Sequence, residues 1–237
     1  MATADFDLDS LARYLHVTPA QVQKMAERQT LPGRKVGGAW KFPQAEIHHW
    51  LEERIGAADD ADLAQVEKVL SHAGQHEASD IVSIAALIPH GGIAAPLAAK
   101  TKSSVITAMV ELAAETGLLW DAEKMTAAVR ERENLHPTAL ENGVALLHPR
   151  RPLPQTLAEP FLVLGITHQG LPFGESHGIL TDVFFLICST DDASHLRILA
   201  RLSRLITAEG FLPALRAATD AGAARDCLER FEKEVGG

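Results

Sequence analysis

The apolar positions of this chain change period along its length, and each change predicts an element. Near the start, Asp9 caps a short helix carrying Leu11 and Leu15, with Val17 flanking it. Thr18-Pro19-Ala20-Gln21 then opens a second helix. Thr at the cap, Pro at the first helical position and Gln three residues on supply the groups of a capping box. Val22, Met25 and Ala26 of this helix face inward, which leaves Gln23, Lys24, Glu27 and Arg28 outward. The stretch 31–42 alternates around Gly37-Gly38, as a two-stranded hairpin does. Pro43 opens a third helix through Glu46, Ile47, Trp50 and Leu51, with Trp50 on the core. His48 and His49 are neighbours that point in different directions, so they read as surface residues rather than metal ligands.

Residues 56–62 are small and acidic. Residues 61–73 carry Leu63, Val66 and Leu70 at helical spacing, and 74–79 are polar, so the stretch reads as a partly helical linker. From Ile81 a helix-rich start leads into strong helices at 104–117 and 121–133. Three runs rich in Val, Ile, Leu and Phe, at 144–147, 161–167 and 180–188, predict buried strands. Two helices, 195–207 and 220–235, finish the chain. Helices alternating with buried strands indicate an α/β layer structure. The expected organisation is a small domain over 1–56, a linker over 57–79 and a larger domain over 80–237.

Composition narrows the classes. With 46% apolar and 22% charged residues, general disorder is excluded. The longest apolar run, Val183 to Cys188, is far below the roughly 20 residues a membrane span needs. The first residues have neither a basic start nor a hydrophobic stretch, so the expected location is the cytoplasm, with no membrane. Cys188 and Cys227 lack Cys-x-x-Cys spacing and read as buried thiols. The net charge of -9 hides a local surplus of bases: residues 10–50 carry six bases (Arg13, Lys24, Arg28, Arg34, Lys35, Lys41) against two acids. A basic head on an acidic body suits a protein whose one part touches phosphates while the other stays off them.

The stretch 11–51, with its hairpin sequence Gly-Gly-x-Trp-Lys-Phe, resembles the excisionase-type, MerR-like winged helix-turn-helix domain. The resemblance implies binding to double-stranded DNA through the helix beginning at Pro19, with Gln23, Lys24 and Arg28 presented to the groove and Arg34, Lys35 and Lys41 of the wing on phosphates. It also leaves open a head that binds a protein partner, as some members do.

The sequence contains no phosphate-binding P-loop, zincin motif, dinucleotide fingerprint or nucleophile elbow. Among eleven histidines, His148 ends a predicted strand, where a side chain can emerge into a cleft. Arg132-Glu133, Thr138, Val144 to His148, Leu171-Pro172-Phe173-Gly174 and the later His195-Leu196-x-x-Leu199 together resemble the type-2 enzyme IIA domain of the bacterial phosphotransferase system, over about residues 81–234. The nitrogen-regulatory branch is nearest. The resemblance implies a mixed sheet flanked by helices, phosphorylation of His148 by a phosphocarrier protein resembling HPr, and no cofactor beyond the phosphoryl group itself. Arg132 would pair with the phosphoryl oxygens, Thr138 would help place the group, and His195 would be the second histidine of the site. A neutral imidazole suits the task, and Arg forks with hydrogen-bond donors stabilise a transferring phosphoryl. His136, His168 and His177 read as surface or supporting residues.

The chain departs from the family at Ala139-Leu140-Glu141, where a glycine-rich stretch is common, and at Leu147, where a proline usually precedes the histidine. The expected function is a phosphorylation-responsive transcription regulator, a phosphotransferase component rather than a turnover enzyme. The alternatives are a phosphorelay component whose head binds a protein, and an unphosphorylated scaffold. A homodimer is compatible with paired half-sites.

Overall fold

The computed structural model describes residues 5–15, 17–43, 46–47, 50, 83–174 and 179–235. The expected linker over 57–79, and His48, His49 and His177, lie outside them. The chain forms two compact units, Met1–Ile81 with Leu199–Arg204, and Val82–Ile198 with Leu205–Gly237.

In the first unit, helix α1 (Leu8–Tyr14) is capped by Asp7 rather than Asp9. Asp7 and Ser10 cap each other reciprocally, which satisfies two otherwise unpaired N–H groups and draws the helix start toward the N-terminus. Asp9 instead adds a carboxylate to the first turn, where the helix dipole favours it. Helix α2 (Pro19–Glu27) has the Thr18–Gln21 capping box read from the sequence. It ends in a Schellman turn: Thr30 N–H donates to Met25 O, Gln29 N–H donates to Ala26 O, and Gln29 takes φ 57°. Val22 and Ala26 are buried while Met25 is half-buried; Gln23, Lys24, Glu27 and Arg28 are exposed.

Strands β1 (Arg34–Val36) and β2 (Ala39–Lys41) pair antiparallel with Lys35 opposite Trp40. Gly37 and Gly38 both have positive φ, as a two-residue hairpin turn of this hand requires. Phe42 then pairs with Phe6 and is fully buried with Leu11, Val22 and Ile47. The Trp50 indole N–H donates to Thr30 O at 2.7 Å, closing the unit beside the α2 terminus.

The second unit is built on a four-stranded sheet. Strands β3 (Ile93–Ala94), β4 (Val144–Leu147), β5 (Phe161–Leu171) and β6 (Thr181–Cys188) lie in the order β3-β5-β6-β4. β5 and β6 are antiparallel; β3 with β5 and β4 with β6 are parallel. Ala145, Leu147, Val163, Phe184, Leu186 and Cys188 meet Val105, Met109 and Val110 of helix α4 (Lys102–Glu115) and Met125 and Val129 of α5 (Ala122–Leu135). The alternate residues Val144, Leu146, Leu162, Leu164, Val183, Phe185 and Ile187 are also buried. Both faces are therefore covered, which is why these strands read as continuous apolar runs rather than alternating ones.

Several boundaries differ from the sequence reading. α4 starts at Lys102 because Thr101 caps it, with Ser104 as the reciprocal partner rather than the first residue. β5 runs on to Leu171, past a register irregularity after Ile166. α6 (Asp192–Thr207) starts three residues before His195, on the Asp191 cap. A further helix, α7 (Phe211–Arg216), follows Gly210 and packs with α8 (Ala221–Val235), Phe211 meeting Phe231 at 5.4 Å. The start of the unit carries one short helix, α3 (Ile84–Leu87), and the edge strand β3.

Candidate functional site

The carboxyl ends of parallel strands β4 and β6 lie side by side, because Leu147 is in register with Leu186. The chain leaves β4 into His148, and leaves β6 into Ser189 and the α6 cap. This brings two residues 47 positions apart together: the rings of His148 and His195 lie 4.9 Å apart, tilted by 55°. The crevice beyond strand carboxyl ends is where open α/β sheets hold ligands.

Each ring is fixed through Nδ1. The Nδ1 of His148 is 2.8 Å from the Leu146 carbonyl oxygen, which only accepts, so in this bond Nδ1 carries the hydrogen and the lone pair of the neutral ring sits on Nε2. The Nδ1 of His195 is 3.0 Å from the Ser189 hydroxyl. A hydroxyl that donates to Nδ1 leaves Nε2 of that ring carrying hydrogen, able to donate to an acceptor oxygen. His148, His195, Arg132 and Thr138 are 3, 5, 8 and 7% exposed, so charges in this region act at low effective dielectric.

Arg132 sits in the last turn of α5, and its guanidinium donates to the carbonyl of His136 in the loop that follows. It is buried although it stands in the charged run 130–133. Thr138 is brought to β4 as a short antiparallel extension: Leu146 N–H donates to Thr138 O and Leu140 N–H to Val144 O. Gly143 closes that hairpin with φ 82°. The Thr138 hydroxyl itself donates to Glu133 Oε1. Glu141 is exposed, His136 is exposed, and so is His168.

Sequence reasoning missed three groups. Glu133 was part of a charged run but is 1% exposed and pairs with Lys102 Nζ at 3.1 Å. Ser189, buried beside His195, had no signal beyond its place after an apolar run. Lys102 precedes the helix start read at 104 and becomes the first helical residue only through the Thr101 cap, so the sequence carried no signal for it. Burial pushes the Cys188 thiol, next to Ser189, far above the usual range.

The string Gly174-Glu175-Ser176-His177-Gly178 has the spacing G-x-S-x-G, contrary to the expectation of none. Its flanks β5 and β6 pair antiparallel, so the string joins strand to strand, whereas an elbow joins strand to helix. Residues 175–178 lie outside the described residues.

In the first unit, the outward face of α2 carries Gln23, Lys24 and Arg28 exposed, with Gln23 Nε2 donating to Glu27 at 2.8 Å. On the hairpin, Arg34 and Lys35 are exposed and Lys41 is half-buried. Arg34 pairs with Asp5 at 3.4 Å, and Lys35 Nζ lies 5.2 Å over the Trp40 ring.

A helix-turn-helix unit in one chain with an α/β unit that pairs two imidazoles at the sheet's carboxyl edge defines a class of two-unit protein. Residues 86–230 match the family model described as phosphoenolpyruvate-dependent sugar phosphotransferase system, EIIA 2, and residues 6–55 match a helix-turn-helix domain model. The chain belongs to the EIIA type-2 family and carries an N-terminal helix-turn-helix domain. Its relatives include the PTS system fructose-specific EIIABC component of Bacillus subtilis (strain 168), 27% identical over 136 residues, which are 56% of this chain and 21% of that protein. The chain thus matches about a fifth of the length of that curated relative. Among solved structures, Escherichia coli enzyme IIA mannitol in complex with phosphorylated enzyme IIB superposes with TM-score 0.53 at 19% identity, over 59% of this chain and 95% of that one. The nitrogen regulatory protein IIA-Ntr of Neisseria meningitidis superposes with TM-score 0.51 at 17% identity, over 61% and 98%. These structures show the fold. Among the described residues, no helix is long and apolar enough to cross a membrane.

Proposed function

We propose that the protein is a cytoplasmic regulator that accepts a phosphoryl group on His148 from a phosphocarrier protein resembling HPr and couples that state to DNA binding by its helix-turn-helix unit. The observation that carries this reading is the oriented pair of imidazoles, His148 with its Nδ1 on the Leu146 carbonyl and the His195 ring beside it.

The step balances. The Nε2 lone pair of His148 attacks phosphorus and an N–P bond forms. The N–P bond to the donor's imidazole breaks, and its electron pair returns to that ring. Positive charge developing on the His148 ring is stabilised by the Leu146 carbonyl, which accepts from the Nδ1–H. His195 donates to a phosphoryl oxygen, and Arg132 contributes a guanidinium at the α5 terminus. The phosphoryl group needs no other cofactor. That a related IIA domain was solved with a phosphorylated protein supports a protein as the exchange partner.

The exposed bases of α2 and the hairpin support double-stranded DNA as the ligand of the first unit, read by a homodimer on paired half-sites. A phosphohistidine adds roughly -1.5 to -2 charges by analogy with other phospho-residues, enough to alter electrostatic docking. A second reading, the unphosphorylated scaffold, draws on the 3% exposure of His148, because transfer requires that ring to be uncovered.

One assay separates them. The full chain is incubated with labelled phosphoenolpyruvate, enzyme I and HPr. The expected result is an acid-labile adduct that is absent in His148→Ala; a wild-type chain that takes no label is the scaffold.

A further inference from the structure

Acceptance at His148 gives no task to the buried carboxylate that follows Arg132. Glu133 is 1% exposed, and a carboxylate withdrawn from water is costly unless its oxygens meet donors or a cation. Oε1 accepts from the Thr138 N–H at 3.1 Å and from the Thr138 hydroxyl. Oε2 lies 3.1 Å from Lys102 Nζ.

Lys102 is the first residue of α4, the end at which a helix dipole disfavours a cation. It is compensated across the helix boundary. Its Nζ donates to the Glu133 carbonyl at 3.1 Å and rests 5.1 Å over the Phe173 ring. That carbonyl needs an outside donor because its helical partner would be residue 137, a proline with no N–H. One lysine therefore holds both the side chain and the backbone of Glu133 at the end of α5.

The contacts continue to the acceptor. Thr138 O accepts from Leu146 N–H at 3.3 Å, and Leu146 O accepts from His148 Nδ1 at 2.8 Å. The single hydrogen of the Thr138 hydroxyl is committed to Glu133, so in this arrangement Thr138 acts on the site through β4.

We propose that Glu133 is a positioning residue for phosphoryl acceptance: held by Lys102, it fixes Thr138 against β4 and thereby sets the orientation of the His148 ring. This inference rests on the acceptor reading and deepens it. Its mechanism makes Glu133 and Thr138 one unit, so their effects must not multiply.

The test uses the full chain and the labelled phosphoenolpyruvate, enzyme I and HPr system, with rates read across HPr concentrations. Glu133→Ala and Thr138→Val are expected to lower the maximal rate at least tenfold with the KM for HPr unchanged. The double variant is expected to be no slower than the slower single. Thr138→Ser, which keeps the hydroxyl, is expected to restore the rate. Thr138→Val is nearly isosteric and carries the test should Glu133→Ala fail to fold. Single variants at the wild-type rate, losses confined to KM, or losses that multiply in the double variant overturn the proposal while leaving His148 as acceptor. A wild-type chain that takes no label overturns the acceptor reading and this inference with it.

Discussion

At the scale of single residues, two positions make measurable commitments. Gln29 holds the left-handed conformation at the end of α2 without being glycine, and that conformation costs an ordinary L-residue roughly 1–2 kcal/mol. Gln29→Gly is expected to raise the stability of the first unit by about 0.5–1 kcal/mol, the relief being partly offset by glycine's larger unfolded-state entropy; urea unfolding would measure it. Asp191 caps α6, the helix that carries His195, by accepting from Ser194 N–H at 2.8 Å and from the Ser194 hydroxyl at 2.6 Å. Burial is the largest influence on its carboxyl and pushes it up, but the Ser194 bonds, Arg197 and the Ala193 N–H together outweigh it and hold the group below its ordinary 3.8. A carboxyl depressed on folding contributes stability that is present above its unfolded value and is lost as pH falls through its folded one. Asp191→Ala is therefore expected to cost about 1 kcal/mol near neutrality, and the gap to wild type to shrink below pH 3.8. A gap that stays constant down to pH 2 would contradict the assignment. The apolar pattern predicts a helix with His195 at its start, and the Asp191 cap moves that start three residues earlier.

At the scale of elements, tight approach and terminal clamps decide the energetics. A Cβ on Gly165 of β5 would meet Met109 Sδ at 2.5 Å and Leu97 Cδ2 at 2.8 Å. Both neighbours belong to the core under α4, so Gly165→Ala is expected to destabilise by about 1–3 kcal/mol through overpacking, nearer the lower end because Met109 is flexible. Thermal unfolding would read it. The short helix α3 is held at both ends by α8. Glu232 accepts from the Ser83 hydroxyl and from Ile84 and Ala85 N–H, while Arg225 donates to the carbonyls of Ala85, Ile88 and Pro89. A four-residue helix cannot sustain itself alone. Glu232→Gln, which sets an amide donor against these donors, is expected to cost about 1–3 kcal/mol and to speed hydrogen exchange at Ile84 and Ala85. The pattern of α4, α5 and the three long strands was legible because each buries an uninterrupted apolar face. α3 and β3 were not, since two to four residues carry no period and gain their form from α8 and β5.

At the scale of the whole molecule, the two units place their charges differently, and DNA binding should follow salt accordingly. With duplex DNA as ligand, replacing both Arg34 and Lys35 by Ala is expected to lower the slope of log affinity against log salt by about 2, near 0.9 per phosphate contact. A slope unchanged by the double replacement would remove the hairpin from the interface. Phosphorylation is expected to change duplex affinity in the wild type and not in His148→Ala, measured with and without the phosphoenolpyruvate system. The sequence by itself determined the α/β alternation, the helix-turn-helix with its basic hairpin and the place of His148 at a strand end, because periodicity and capping residues are local properties of a chain; Arg132, Thr138 and His195 entered as candidates through the resemblance to the enzyme IIA family. Only the tertiary structure decided that His148 and His195 share one edge, that Leu146 fixes the tautomer, that the Thr138 hydroxyl belongs to Glu133, and that Lys102 stands behind both. Those facts depend on the parallel register of β4 with β6 and on two helix ends meeting, and such long-range pairings are set by packing rather than by any neighbour in sequence.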